Sequence, residues 1–475
     1  MTRSQQHQNT FATLQQHHQT HLLNSFDQLS VDQQRAFLSQ IEALEWRYLD
    51  DWIARFVISD CPTTVPTNIH PAPFYPSKPI DHNQEVWYQK AQKEGETLIK
   101  SGKVAGFVVA GGQGTRLGFD GPKGAFPASP IKQKVLFQIF SESIAATNER
   151  YHTRCPFYIM TSPLNYEQTL DLFENNLFFG LHPDDIFIFQ QGTLPNFSFD
   201  GKILLTDKDQ IACSPDGHGG SLKALYQSGA LTDMANRGID ILSYWQVDNP
   251  LINPIDPLFI GLHALDGSEM SSKALKKTGP FEKVGNFCLV DDKVTVIEYS
   301  DLPDDIAQKT HPDGSLQLEL GSIGIHLINR CFIESLNSDG FSLPMHRAVK
   351  KIPFLNDQGV TVNPTEPNGV KLETFVFDAL PLAQKSMIME TTRAEEFAPI
   401  KNAEGVDSAE SSRSMMIERA ATWLEAAGVN VPRTPDGMAN CVLEIASSFA
   451  LCPEDIKNKL DRIPPIKPGD VLYLE

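Results

Sequence analysis

The sequence predicts an α/β chain built on a mainly parallel sheet covered by helices, with a helical extension before it and a small unit after it. Three observations carry that expectation. Short apolar runs alternate with helix-length amphipathic stretches between Val104 and Val247. Residues before about 57 show helical periodicity alone, and the tail after about Lys385 is less regular. At 475 residues the chain is too long for one core and should divide into two or three domains. The expected divisions are 1–100, 101–385 and 386–475.

The N-terminal helices come first. Leu22, Phe26 and Leu29 fall on one face, as do Phe37, Ile41 and Leu44. Ser30 with Gln33 three residues later has the form of a capping box. Six prolines follow (Pro62, Pro66, Pro71, Pro73, Pro76, Pro79) and forbid helix, so this stretch is an extended connection. A helix over about Gln84 to Lys100 leads into the centre. There, Ala105 to Ala110, Phe157 to Met160, Ile186 to Phe189 and Ile241 to Val247 read as buried strands. Helices are expected between them at Lys134–Glu149, Tyr166–Asn175 and Ser221–Asn236. The tail should hold a helix near Arg413 to Ala427, a turn at Pro432 to Gly437 and a final strand Val471 to Leu474.

Charge and composition exclude several classes. Against 40 Lys+Arg stand 59 Asp+Glu, a formal net charge of −19, which argues against a general binder of nucleic acid or anionic membranes. No apolar run approaches the length of a membrane span, and the first eleven residues have no secretory h-region. The seven cysteines are scattered without a C-x-x-C pair, which suits reduced thiols in the cytoplasm. His7, His17, His18 and His21 have no acidic or thiol partner at ligand spacing and are expected at a solvated, partly frayed helix end.

In parallel α/β sheets ligands bind at the carboxyl ends of the strands, so the residues just after each strand are the first candidates. After the first central strand comes Gly111-Gly112-Gln113-Gly114-Thr115-Arg116-Leu117-Gly118, followed by Pro122-Lys123-Gly124. Glycines let successive N–H groups turn toward an anion, Arg116 adds a planar fork for phosphate oxygens, and Lys123 adds a point charge. No Lys-Ser or Lys-Thr completes a Walker loop, and the spacing Gly112, Gly114, Gly118 is not the dinucleotide fingerprint. That spacing argues against a nicotinamide-dependent oxidoreductase. A second glycine cluster, Pro215-Asp216-Gly217-His218-Gly219-Gly220, precedes a helix and is otherwise a helix N-terminal turn. Gln191 closes a strand, where an amide could pair with a base edge. Asp248, in Val247-Asp248-Asn249-Pro250, stands at a strand end where a carboxylate can hold Mg²⁺ against phosphates; its alternative is a turn cap.

These blocks occur in order with Val296-Ile297-Glu298-Tyr299-Ser300, Pro367 to Glu373, Phe375-Val376-Phe377-Asp378 and Pro399-Ile400-Lys401-Asn402. Together they resemble the UDP-N-acetylglucosamine pyrophosphorylase branch of the UTP-dependent sugar-1-phosphate uridylyltransferases, from the N-terminal helices to about residue 435. The resemblance implies a Rossmann-like nucleotidyltransferase core in a cytoplasmic enzyme that makes a UDP-sugar and pyrophosphate from UTP and a sugar 1-phosphate. It implies UTP binding at Gly111, Gly112, Gly114, Thr115, Gln191 and Gly217, with Arg116 and Lys123 on the triphosphate and Lys401 at the sugar phosphate. Asp248 would carry Mg²⁺, and Gly285 and Glu298 would lie beside the sugar hydroxyls.

Two positions depart from the family pattern, and both concern the sugar. His218 stands where P-D-G-N-G-G carries Asn, and Ile325 in Gly321-Ser322-Ile323-Gly324-Ile325-His326 stands where G-N-I-A-N-H carries its second Asn. A G-H-G turn is similar to UDP-glucose and broad UDP-sugar pyrophosphorylases, and Ile325 removes an amide's donors and acceptors. N-acetylglucosamine 1-phosphate is therefore the leading substrate, with glucose or galactose 1-phosphate as runners-up. A catalytically silent nucleotide-sugar binding protein is the competing class, and the presence of Arg116, Lys123, Asp248 and Lys401 speaks against it.

Overall fold

The structure, a computed structural model, describes residues 3–59, 66, 68–338, 340–341, 343–356 and 358–475. Cys61 and Pro62 lie outside the described residues. By contacts the chain forms two units: Met1–Thr64 with Gln191–Ser221 and Ser342–Asp378, and Val65–Gln190 with Leu222–Phe341 and Ala379–Glu475. The expected divisions at 100 and 385 do not coincide with these boundaries.

The larger unit is built on a ten-stranded sheet. Its strands are β1 (Ile69–His70), β2 (Val104–Val109), β3 (Phe157–Thr161), β4 (Ile186–Gln190) and β5 (Ile241–Gln246). They continue with β6 (Met270–Lys276), β7 (Gly285–Val290), β8 (Lys293–Ile297), β9 (Leu320–Asn329) and β10 (Ser386–Glu390). One half, β5-β2-β3-β4, is parallel, as the buried apolar runs predict. In its register Val109 faces Gln246 on one side and Met160 on the other, which aligns the carboxyl ends of the strands. The other half is mixed. β9 runs antiparallel to β5, β6 and β7, while β6 and β10 pair in parallel. β6 reads MSSKALK and buries Ser271, Ser272 and Lys273, so its sequence shows no apolar run although six of its seven residues are inside.

Aromatic and aliphatic residues of β2, β3 and β5 form the main core. Phe157 stacks on Trp245 at 5.6 Å between ring centroids, beneath Phe140 of the helix Leu136–Tyr151. The helices His82–Lys100 and Pro257–Asp266 cross at backbone contact. A Cβ on Gly261 would lie 1.7 Å from the Ala91 carbonyl oxygen, and one on Gly95 would lie 1.8 Å from that of Pro257. The helix expected over Ser221–Asn236 is two helices, Gly220–Gln227 and Ala230–Arg237. They are separated at Gly229, whose φ of +83° lies in the left-handed region. The C-terminal residues add a satellite core of Ala421, Trp423, Leu424, Leu443 and Phe449, from the helix Ala409–Ala426 and the parallel pair Val442–Ile445 and Val471–Leu474.

The smaller unit packs the helices Arg3–Gln16, Val31–Glu42 and Trp46–Trp52 against an antiparallel ladder of Gly369–Glu373 with His346–Lys350 and Phe197–Ser198. The Ser30–Gln33 capping box forms as expected. Leu22 and Phe26 are buried, but on two 3₁₀ turns, Thr20–Leu23 and Phe26–Gln28, rather than on one helix. His18 is exposed as expected, but His17 and His21 are held by partners rather than solvated. His17 Nδ1 lies 2.9 Å from Asp50 Oδ2, and His21 Nε2 lies 2.8 Å from the Ile203 carbonyl oxygen. Buried Gln19 donates to the Gly201 carbonyl and accepts from the Ile203 N–H, so this segment is fixed by backbone partners 182 and 184 residues away.

Among the described residues, no helix is long and apolar enough to cross a membrane, and the six described cysteines are unpaired.

Candidate active site

At the end of β2 the chain turns through Ala110–Lys123. Gly114 N–H donates to Gly121 O, and Lys123 N–H donates to Gly112 O, which closes the loop on itself. Gly114 must be glycine because a Cβ would lie 2.7 Å from the Phe119 ring and 2.9 Å from the Phe119 carbonyl oxygen. The N–H groups of Gly111, Gly112, Thr115 and Arg116 have no acceptor among the described residues, and the Arg116 side chain is exposed. Open donors of this kind beside an arginine are chemically suited to an anion.

Asn165, which sequence reading passes over, holds this loop. It sits at the N-cap of the helix Tyr166–Asn175 yet makes no cap hydrogen bond. Instead, fully buried, its Nδ2 donates to the Ala110 and Gly112 carbonyls, 3.0 and 3.2 Å away. The Ser162 N–H donates to its Oδ1 and fixes the amide's orientation. The available signal was an Asn immediately before a helix at a strand end, where it would ordinarily be read as a cap.

Asp248 follows β5, with its side chain 13% exposed and its Oδ2 3.8 Å from Lys123 Nζ. Two of the expected residues, one from the glycine loop and one from a strand end, are thus adjacent. The Asp248 carbonyl accepts from Ile400 N–H at 2.8 Å, which places Lys401 one residue from that contact. Lys401 itself is exposed, and its N–H donates to Asp407 O. On β7, a Cβ at Gly285 would lie 3.3 Å from Glu298 Oε1, so these two expected sugar residues are also neighbours. Ile325 is 2% exposed and belongs to the main core with Ile323 and Leu327, so it offers no polar atom and little surface.

The larger unit also holds a buried ion network. Lys273 Nζ contacts Asp256 Oδ2 at 2.6 Å and both Glu396 oxygens at 2.7 and 2.6 Å. Burial disfavours its charge, but Asp256 and Glu396 outweigh that cost, and its pKa rises above the ordinary lysine value. A cavity of about 510 Å³ behind this network is lined by Pro250, Asp256, Lys273, Glu396, Arg419 and Trp423, and by none of Arg116, Lys123, Asp248 or Lys401.

In the smaller unit, Gln191 Nε2 lies 3.4 Å from Asp216 Oδ1, which brings Gln191 beside the second glycine turn. Gly217 has φ +86°, and a Cβ there would lie 2.3 Å from the Thr374 carbonyl oxygen, so the turn is pressed onto residues 373–376. His218 accepts a hydrogen bond at Nδ1 from the Val376 N–H and stacks on Phe375, centroids 5.2 Å apart. His346 stacks on Phe375 at 4.2 Å and pairs through Nε2 with Asp378 Oδ2 at 2.7 Å. Burial, reinforced by His346 and opposed by Glu373, pushes the His218 pKa down to about 4. With Nδ1 occupied as acceptor, the neutral ring carries its proton on Nε2.

Among the described residues, no group of three or more His, Cys, Asp or Glu stands ready to enclose a metal. A single carboxylate such as Asp248 suits a cation held mainly by substrate phosphates.

The sequence profile of UTP–glucose-1-phosphate uridylyltransferase matches residues 69–475. Human UDP-N-acetylhexosamine pyrophosphorylase-like protein 1 is 35% identical over 435 residues, 89% of this chain and 86% of that protein. Saccharomyces cerevisiae UDP-N-acetylglucosamine pyrophosphorylase is 33% identical over 92% of this chain and 94% of its own length. The crystal structure of the Trypanosoma brucei UDP-N-acetylglucosamine pyrophosphorylase, determined with an inhibitor, superimposes with a TM-score of 0.83 at 25% identity, covering 99% of this chain and 98% of that one. A glycine loop with unspent N–H groups, a lysine and an aspartate at adjoining strand ends and these matches lead to one conclusion: the chain belongs to the UTP–glucose-1-phosphate uridylyltransferase family, whose members transfer a uridylyl group from UTP to a sugar 1-phosphate.

Proposed function

We propose that the chain converts UTP and N-acetylglucosamine 1-phosphate into UDP-N-acetylglucosamine and pyrophosphate in the cytoplasm. The observation that carries the chemistry is the strand-end group. There Lys123 Nζ lies 3.8 Å from Asp248 Oδ2, and the Asp248 carbonyl is bonded to the N–H of Ile400, the residue before Lys401. The sugar rests on the relatives, two of which are named for N-acetylglucosamine and one for N-acetylhexosamine. Unpaired cysteines suit the reducing compartment.

Gly111, Gly112 and Thr115 bind UTP through open N–H groups of the loop, Gly114 shapes the turn that lies against the nucleotide, and Gln191 and Gly217 contact the uridine. Arg116 and Lys123 hold the triphosphate, and Lys401 draws in the sugar phosphate. An oxygen of that phosphate attacks the α-phosphorus in line, the bond to the β-phosphate breaks, and pyrophosphate leaves. The attacking group is already ionised at neutral pH, so no protein nucleophile is needed, and the residues act by positioning and by offsetting charge. Asp248 would hold Mg²⁺, which would neutralise phosphate charge and stabilise the transferring group. Gly285 and Glu298 lie at the sugar hydroxyls, and His218 offers its Nε2–H to the sugar.

A second reading, preference for glucose or galactose 1-phosphate, is favoured by Ile325, which is buried and apolar where an amide would serve the acetyl group. Pyrophosphate release, measured with UTP, Mg²⁺ and each sugar phosphate in turn, decides between them. The highest kcat/KM is expected with N-acetylglucosamine 1-phosphate. Equal or greater kcat/KM with glucose 1-phosphate would replace that assignment.

A further inference from the structure

The two groups assigned opposite tasks at the strand end, Asp248 and Lys401, lie 153 residues apart in sequence, and one buried side chain joins their segments. Asn249, 3% exposed, donates from Nδ2 to the Glu396 carbonyl at 2.6 Å. Its Oδ1 accepts from the Ala398 N–H at 3.1 Å and from the Leu251 N–H at 3.3 Å. One amide thus fills both roles toward the 396–398 backbone and also closes its own turn. Two residues on, Ile400 N–H bonds to the Asp248 carbonyl. The far side of the 396–400 segment is equally constrained. Ser412 Oγ donates to the Ala398 carbonyl, and the Glu396 carboxylate is clasped by Lys273 Nζ and Thr391 Oγ1. Lys273 is anchored in turn on Asp256, the N-cap of the helix Pro257–Asp266.

We infer that Asn249 is a positioning residue: it locks the segment carrying Lys401 onto the strand end carrying Asp248, so that the cation at the sugar phosphate and the carboxylate keep one fixed separation. The inference rests on the roles proposed above for those two residues. Its physical basis is that the Asn249 side chain can reach neither task itself, since both its polar atoms are engaged by backbone. A turn residue needed only for stability would require the Leu251 bond alone. The two bonds to residues 396 and 398 serve the junction.

The consequence is a distinctive energetic signature. Misplacing a catalytic group by about 1 Å costs on the order of 10²-fold in rate. If Asn249 acts through Lys401, that loss disappears once Lys401 has already been removed, because residues acting as a unit are not additive. The test is a double-mutant cycle in the full-length enzyme with Asn249→Ala and Lys401→Ala, reading kcat and the KM for UTP. Asn249→Ala is expected to lower kcat about 10²-fold with the UTP KM within about twofold, since the glycine loop has its own anchor in Asn165. The double variant is expected to fall no more than about threefold below Lys401→Ala. Full multiplication of the two losses, or an Asn249→Ala enzyme of unaltered kcat, overturns the inference. An unaltered Lys401→Ala enzyme overturns instead the site assignment on which it rests. Asn249→Asp keeps an oxygen for both acceptor bonds and sets a repelling carboxylate oxygen against the Glu396 carbonyl in place of the donor. It runs the same cycle, with the same outcomes, where the alanine variant does not yield folded protein.

Discussion

Lowering the pH from 7 toward 4 should leave the His218 ring neutral over most of that range, although an ordinary histidine would charge near 6.5. The structural cause is the enclosure of the ring against Phe375 and Phe377, with His346 nearby; Glu373 opposes the displacement. At a pKa of about 4 the protonated fraction at pH 7 is on the order of 0.1%. The folded-state pKa lies below the unfolded one, so the sign is fixed. Above about pH 6.5 both states are neutral at this site and it contributes no pH dependence. Between about 6.5 and 4 the unfolded chain takes up a proton that the folded chain refuses, and stability falls. The full displacement corresponds to about 3 kcal/mol at about 1.36 kcal/mol per pH unit, and the loss levels off below about pH 4. Long-range ¹H–¹⁵N correlation spectra of the imidazoles, with His218→Asn for assignment, read both the midpoint and the tautomer. The expected result is a midpoint near 4 and a proton on Nε2. A midpoint above about 6, or a proton on Nδ1, would refute the enclosure and the hydrogen bond from Val376. In urea titrations His218→Asn should also show a shallower loss of stability between pH 6.5 and 4. Buried His263, likewise pushed down to about 4 by burial, continues to act in both proteins.

Four other substitutions follow from the geometry. Asn165→Ala removes two hydrogen bonds from the glycine loop, and at about 1 kcal/mol each the KM for UTP should rise about tenfold or more in steady-state kinetics; an unchanged KM would show that the loop holds itself. Arg116→Ala and Lys123→Ala should each lower turnover by about 10²-fold or more with unchanged circular dichroism, and near-normal rates in either would remove that residue from the triphosphate site. Gly261→Ala puts a methyl 1.7 Å from the Ala91 carbonyl oxygen, so the helix crossing must open at a cost of about 3 kcal/mol, seen as a lowered calorimetric transition; an unchanged transition would mean that the crossing adapts freely.

The parallel half of the sheet was legible because strands buried on both faces must be apolar throughout, and Val104–Val109 and Phe157–Thr161 are nearly so. The glycine loop was legible because its residue types are dictated locally, by backbone conformation and by Phe119 five residues from Gly114. β6 was not, since its buried Ser271, Ser272 and Lys273 are tolerated only because His263, His326, Asp256 and Glu396 meet them from elsewhere in the chain. The same holds for Asn165, which has the form of a cap, and for Asn249, because both reach backbone groups supplied by distant segments. Single-helix periodicity also misled at Leu22 and Phe26. Both are buried as the pattern requires, yet the intervening backbone bends to let Gln19 reach the 201–203 segment. Periodicity reports burial more faithfully than it reports the regularity of the backbone between.

The smaller unit has a consequence for how the protein is made. Its core joins Leu14, Phe37, Leu38 and Ile41 to Phe197, Val370 and Leu372, drawn from three stretches of one chain. The helices leave the ribosome well before the other two stretches, and the core they belong to stays incomplete until Val370 and Leu372 have been added. At about 5–20 residues per second, that interval lasts some tens of seconds. Throughout it the nascent chain presents amphipathic helices that are only partly covered, which is the kind of surface that holding chaperones capture. Chains released before the 369–373 strand is made cannot complete this core.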